Sequence, residues 1–210
     1  MRFIVLAIDR TLRRRTGIFE FCDDPDCLFR VSLDVAEYPL RVDNGEIPTG
    51  AKVLKLHFWN EHIPPIPQTG PTVSWAVRFR RIMGHSTHLM AEAMKRDPRL
   101  AGVKAVGGVT PLFTPGDGSP AEKIFRRLGF TSTPHQNPHG RFMEFWERVY
   151  AWLLMWAFTK GNPPKMRGLR RTDFWVSADE FLRLYEGSSR GTAGIHAPRQ
   201  SRATQRWREG

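Results

Sequence analysis

Alternation and helical periodicity divide most of the chain into short strands and amphipathic helices. Phe29, Val31 and Leu33 alternate with polar residues, as the half-buried face of a strand requires. Tyr38 to Val42 reads as a second strand that runs into a turn at Asp43, Asn44 and Gly45. KVLKLHF (52–58) predicts a third strand with Leu54, Leu56 and Phe58 on one face, and the proline-rich run after it forbids regular structure. From about Thr72 to Asp97, Trp75, Phe79, Ile82, Ser86, Leu89, Met90 and Ala93 keep one face at helical spacing, and Pro98 ends the pattern.

The second half repeats the mixture. VKAVGGV (103–109) lacks polar alternation, as a strand covered on both faces does. Ser119 and Glu122 make a capping box with Pro120 at the first helical position, so AEKIFRRL is a short helix that Gly129 closes before a strand from Phe130 to Thr133. MEFWERVYAWLLMWAFTKG predicts a strongly apolar helix over 143–160. Phe174 to Val176 forms a short strand, and Ser177 with Glu180 opens a last helix to Tyr185. At the start, Phe3, Ile4, Ala7 and Ile8 sit at helical spacing before Arg10, Arg13, Arg14 and Arg15. These elements predict a mixed α/β (α+β) domain over 1–186, with a central, mostly antiparallel sheet flanked by helices. Residues 187–210 are rich in Gly, Ser, Thr, Ala and Arg and poor in apolar residues, which predicts a disordered basic tail.

Charge adds the strongest global signal. The chain has 210 residues and a formal charge of +11, a balance that attracts polyanions without choosing among them. The arginines are scattered and no recognition motif is present, which sets nucleic acid aside as a partner. Cys22 and Cys27, in CDDPDC, have no second Cys/His pair at finger spacing, and reduced thiols in a cytosolic protein are expected. MRFIVLAIDRTLRRR has the wrong order of charge and apolar residues for a signal peptide, and no stretch reaches the roughly 18–20 apolar residues of a membrane span. A cytoplasmic protein, attached peripherally at the inner membrane, is the expectation.

Candidate chemistry is sparse. His57, Asn60, Glu61 and His62 form the densest polar group, on a strand end and the loop after it; they suit ligand binding or acid–base work, or a hydrogen-bonded brace for the loop. His85 and His88 lie one helical turn apart without an acidic or Cys partner nearby in sequence. His135 and His139 flank a turn and read as loop residues, and Asp23, Asp24 and Asp26 lack the Gly and Glu of a calcium loop. No nucleophile elbow and no phosphate loop of the G-x-x-x-x-G-K type occurs, so no metal or cofactor is expected and catalysis stays open. The 143–160 helix is apolar nearly all round and is followed by cations. Tyr150, Trp152, Trp156, Lys160, Lys165 and Arg167 suit the interface of an anionic membrane, and the same helix suits a domain core.

The order long helix, strand, short helix ending in RRLGF, strand resembles the second half of a GNAT-type N-acetyltransferase. That resemblance implies an acyl-CoA site, with Arg81, Gly84 and Ser86 approximating the R-x-x-G-x-G/A pyrophosphate loop and acetyl-CoA or another acyl-CoA as cofactor. Its phosphates would need free backbone amides, yet the apolar face runs through these positions without losing phase. Over about residues 1–180 the chain also resembles the YkoP-like domain of bacteria. The N-terminal helix, LHFWNEH (56–62), the long helix, and LGF (128–130) before an aromatic helix carry that likeness. The family occurs alone and fused to polysaccharide deacetylase domains, which implies work near envelope glycan or lipid metabolism. Together with the basic balance and the aromatic helix, this suits a non-catalytic or accessory module at the cytoplasmic membrane face, with an anionic membrane surface or the envelope glycan machinery as partner, and the resemblance carries over no catalytic residue.

Overall fold

The computed structural model describes residues 17–43, 45–59, 62–65, 72–111, 114–136, 140, 145, 149 and 171–185, and among these described residues seven strands and three helices are delimited. The strands are β1 (Phe29–Val35), β2 (Leu40–Val42), β3 (Gly45–Ile47), β4 (Lys52–Phe58), β5 (Ala105–Thr110), β6 (Thr131–Pro134) and β7 (Thr172–Ser177). The helices are α1 (Val73–Arg96), α2 (Pro120–Arg127) and α3 (Ala178–Tyr185), with a single turn of 3-10 helix at Pro98–Leu100. The predicted N-terminal helix, the body of the 143–160 helix and the 187–210 tail lie outside the described residues.

Five strands form one sheet in the order β1-β4-β5-β7-β6, and β2 pairs with β3 as a separate hairpin. Every pairing is antiparallel except β4 with β5, so the mixed, mostly antiparallel architecture expected from the sequence is present. The β4–α1–β5 segment makes the parallel crossover. Its ladder covers Val53–Lys55 against Ala105–Gly107, while β4 stays paired with β1 up to Phe58 and β5 with β7 up to Thr110.

One face of the sheet carries the core. Leu28, Phe29, Val31, Leu54, Leu56, Val106, Phe174 and Val176 pack against Phe79, Ile82, Met83 and Met90 of α1, Phe125 of α2 and Phe181 of α3. α1 is one uninterrupted helix of 24 residues, capped by Thr72, whose side-chain oxygen accepts from the Trp75 amide. Its buried positions include Met83, Thr87 and Ala91 beside the predicted Phe79, Ile82, Ser86 and Met90, which widens the inward stripe. The RRLGF run has a local cause. Gly129 takes φ +85°, the Phe130 amide bonds Phe125 O at 3.1 Å, and the Gly129 amide bonds Arg126 O at 3.1 Å. With the Phe125 and Phe130 rings 5.9 Å apart, this is a Schellman ending with its apolar contact. The capping box before α2 is only half formed. The Glu122 amide bonds Ser119 Oγ, but the Glu122 carboxylate turns to the Gly116 and Gly118 amides, because Asp117 already holds the Ser119 amide.

The opposite face is different. The β2–β3 hairpin covers a small apolar cluster of Ala36, Leu40, Val42, Val53, Ala105 and Trp175. A side chain at Gly107 would collide with Phe174 O and come within 2.6 Å of Trp175 Cε3, so the indole lies where β5 has no Cβ. The rest of this face is polar. The β3 strand was not predicted, because three residues with exposed Glu46 carry too little alternation to register.

Candidate functional site

Alternation places Arg30, Ser32 and Asp34 of β1, Lys55 and His57 of β4, and Asp173 and Trp175 of β7 on the hairpin-covered face. His57 is largely buried, with Nε2 2.9 Å from Ser32 Oγ. Burial first, then the nearby Lys55 ammonium, pull its pKa from 6.5 to about 4, against the opposing pull of Asp34. His57 is therefore neutral at physiological pH. Lys55 Nζ lies 2.6 Å from Asp34 and 3.9 Å from Glu37, so its charge is answered across the strand pair.

His62 has a different task. Its Nδ1 donates to Cys27 O at 2.8 Å, and its ring stacks on Trp59 at 3.9 Å. Arg30 lies over the other part of this stack, 4.0 Å from the Trp59 ring, and pairs with Glu20 at 3.0 Å. His57 and His62 thus hold separate partners, Ser32 and the Cys27 carbonyl. Asn60 and Glu61 lie outside the described residues.

Arg81, Gly84 and Ser86 stand in the middle turns of α1. Their backbone amides belong to the helix ladder, so they do not offer the free donors that a phosphate requires. Arg81 is exposed. Ser86 is buried, accepts from the Leu28 amide at 2.8 Å and donates to Ile82 O at 2.8 Å, which ties the 24–28 loop to the helix. His85 Nε2 meets Asp24 at 2.9 Å, and this histidine lowers the Asp24 pKa through the hydrogen bond. His88 Nδ1 donates to Tyr185 O at 3.1 Å. Asp24 also accepts from the Asp26 amide, the arrangement of a solvated turn. Cys22 and Cys27 are free thiols. Burial, followed by contact with the Cys22 thiol, pushes Cys27 up to about 12, which makes it a poor thiolate. Among the described residues no group of three His, Cys, Asp or Glu side chains converges as a metal site would require.

The most connected polar group joins Tyr38, expected to open the second strand, with His135, expected in a loop, and Asp173 of β7. Tyr38 donates its hydroxyl hydrogen to Asp173 Oδ2 at 2.7 Å, and His135 Nδ1 lies 2.9 Å from Asp173 Oδ1 and 3.1 Å from Tyr38 Oη. The side chains of His135 and Asp173 are 11% and 2% exposed. Burial, then the hydrogen bond to Asp173, raise the Tyr38 pKa above its usual value, so the phenol stays protonated. The His135 amide also bonds Arg171 O, which extends the β6–β7 register to the histidine. No local signal could have found the group, since β6–β7 pairing joins His135 to Asp173 and Tyr38 arrives from the bend between β1 and β2.

The outer face of α1 is the other notable surface. Val73 is 82% and Val77 55% exposed, beside exposed Arg78, Arg80 and Arg81, for which no ion pair is found among the described residues. The predicted membrane contacts Tyr150, Trp152, Trp156, Lys160, Lys165 and Arg167 lie outside the described residues; within that predicted helix, Phe145 is helical and 51% exposed. Among the described residues no helix is long and apolar enough to cross a membrane.

A family model described as YkoP domain matches residues 8–185. No curated protein and no solved structure matches the chain.

Proposed function

This chain belongs to the YkoP domain family, and from that premise we propose that it is an accessory module that docks on the cytoplasmic face of an anionic membrane and serves envelope glycan or lipid metabolism. The observation that carries the reading is the outer face of α1, where two exposed valines sit among three exposed arginines. Fully burying a valine is worth about 1.5–3 kcal/mol, and each Lys or Arg near an anionic bilayer adds about 1 kcal/mol. The formal charge of +11 supports the same direction over longer range. Flotation with phosphatidylglycerol vesicles tests it. The chain floats at low salt, and the triple variant Arg78→Glu, Arg80→Glu, Arg81→Glu or the single variant Val73→Asp stays in the dense fraction. A wild-type chain that does not float at low salt removes the reading.

A second reading is an acyl-CoA-dependent N-acyltransferase of GNAT type. It is favoured by the parallel β4–α1–β5 crossover, whose shared ladder stops at Lys55 and Gly107 while both strands continue with their outer partners. Ligands of α/β crossovers bind beyond the carboxyl ends of such strands. Against it stand the unbroken α1 and the mid-helix position of Arg81, Gly84 and Ser86. Titration calorimetry with acetyl-CoA decides: no heat of binding ends this reading and leaves the docking module standing.

A further inference from the structure

Both cysteines lie on the segment that fastens the sheet to α1. Asp24 meets His85 at 2.9 Å, the Leu28 amide donates to Ser86 Oγ at 2.8 Å, and Cys27 O accepts from His62 Nδ1 at 2.8 Å. Between these anchors the chain reverses across Pro25 and Asp26, with the Cys27 amide bonded to Asp24 O at 2.9 Å. The reversal brings the Cys22 thiol within hydrogen-bonding reach of the Cys27 thiol. Cys27 Sγ also lies 3.5 Å from Phe29 O at the start of β1.

The two sulfurs differ in access. Cys22 is half-buried, whereas Cys27 is 0% exposed. An oxidant arriving from solvent therefore meets Cys22 first, and Cys27 stands beside it as the second thiol. An accessible thiol next to a sheltered partner is the arrangement that converts oxidation into a disulfide before over-oxidation. Charge selects the oxidant. Asp23, Asp24 and Asp26 crowd the same short segment, and Asp23 and Asp26 are exposed. Their field opposes an anionic disulfide such as oxidised glutathione and is indifferent to a small neutral peroxide.

We propose that Cys22 and Cys27 form a peroxide-responsive dithiol, reduced in the resting chain and closed to a disulfide by hydrogen peroxide. The Cys22 sulfur attacks one peroxide oxygen and the O–O bond breaks. The departing hydroxide takes the thiol proton and leaves as water, which gives Cys22 sulfenic acid. The Cys27 sulfur then attacks the Cys22 sulfur, the S–O bond breaks, and hydroxide leaves with the Cys27 proton as a second water. Two thiols lose two electrons, and one peroxide is reduced to two waters. The closed ring spans Cys22 to Cys27, so oxidation adds a covalent closure to the segment that holds α1 against β1. The proposal is independent of membrane docking, which uses the outer face of α1.

Mass spectrometry of the full chain tests it. Trypsin cuts after Arg15 and Arg30, which leaves both cysteines in one peptide, so the bridge is read as the loss of two hydrogen atoms from that peptide. The reduced, folded chain, treated with a small excess of hydrogen peroxide and then with N-ethylmaleimide, is expected to lose both alkylatable thiols, and dithiothreitol is expected to restore both. Cys27→Ala is expected to stop at Cys22 sulfenic acid, trapped as a dimedone adduct, while Cys22→Ala keeps Cys27 unoxidised. Two thiols still alkylated in the peroxide-treated wild type overturn the proposal. So does wild-type Cys22 carried on to sulfinic acid without a bridge, and so does a bridge that joins two chains instead of closing within one.

Discussion

The two faces of the five-stranded sheet are built from the same strands and do opposite things. On the helical face, β1, β4, β5 and β7 contribute Phe29, Leu54, Leu56, Val106 and Phe174, and the partners are the apolar sides of α1, α2 and α3. Rings dominate there: Phe125 meets Phe174 at 4.7 Å and Phe130 at 5.9 Å, and Phe58 at 6.3 Å. On the hairpin-covered face the same strands present Ser32, Lys55, His57 and Asp173, and apolar packing is confined to the small cluster around Trp175. Burial without polarity makes the first face a source of stability. Burial with polarity makes the second a place where each group needs a stated partner, and where proton positions acquire meaning.

The sharpest way to break the helical face is Phe125→Ala. The side chain is 1% exposed and touches the rings of Phe58, Phe130 and Phe174, so chemical denaturation should show a loss of about 3–5 kcal/mol. A loss below about 1 kcal/mol would mean that α2 is not part of the core.

The polar face should reveal itself through pH. His57 titrates at about 4 when folded and at about 6.5 when unfolded. Above the higher value neither state is charged, and folding is indifferent to this residue. As pH falls below 6.5 the unfolded chain takes up a proton that the folded chain refuses, so stability drops and goes on dropping until about pH 4. The full effect is about 3 kcal/mol at about 1.4 kcal/mol for each pH unit of difference. His57→Gln should flatten that part of the stability profile, as read by melts across the pH range. An equally steep profile in the variant would assign the slope to other groups.

Smaller still is Tyr38→Phe. It removes the hydroxyl donated to buried Asp173 while keeping the ring, and should cost about 1.5–3 kcal/mol in denaturant unfolding. A neutral result would make the polar group a solvated rim. The smallest effect should come from Arg96→Ala, which deletes an exposed pair with Glu92 one turn away on α1 and should change stability by no more than about 0.5 kcal/mol.

The helical face was nearly all legible in the linear order of residues. The 52–58 strand coincides with β4, and the helix expected from about Thr72 to Asp97 is α1 from Val73 to Arg96. Phe79, Ile82 and Met90 do point inward. These features are legible because a strand or helix writes its buried face at a fixed spacing in its own residues. Caps are equally local: Ser119 and Ser177 both accept from the amides three residues on. Even so, the Glu122 carboxylate went elsewhere, because a nearby Asp competed for the amide it was expected to bond.

What residue order determined, then, is the set of elements, the apolar stripe that joins them and the charge that surrounds them. Tertiary structure alone decided the parallel register of β4 with β5, the separate partners of His57 and His62, and the union of Tyr38, His135 and Asp173. The physical reason is the range of the interaction. Periodicity reports contacts that each element makes with one continuous apolar surface, whereas a buried hydrogen-bond network joins single atoms from distant segments and leaves no spacing in the chain to be read.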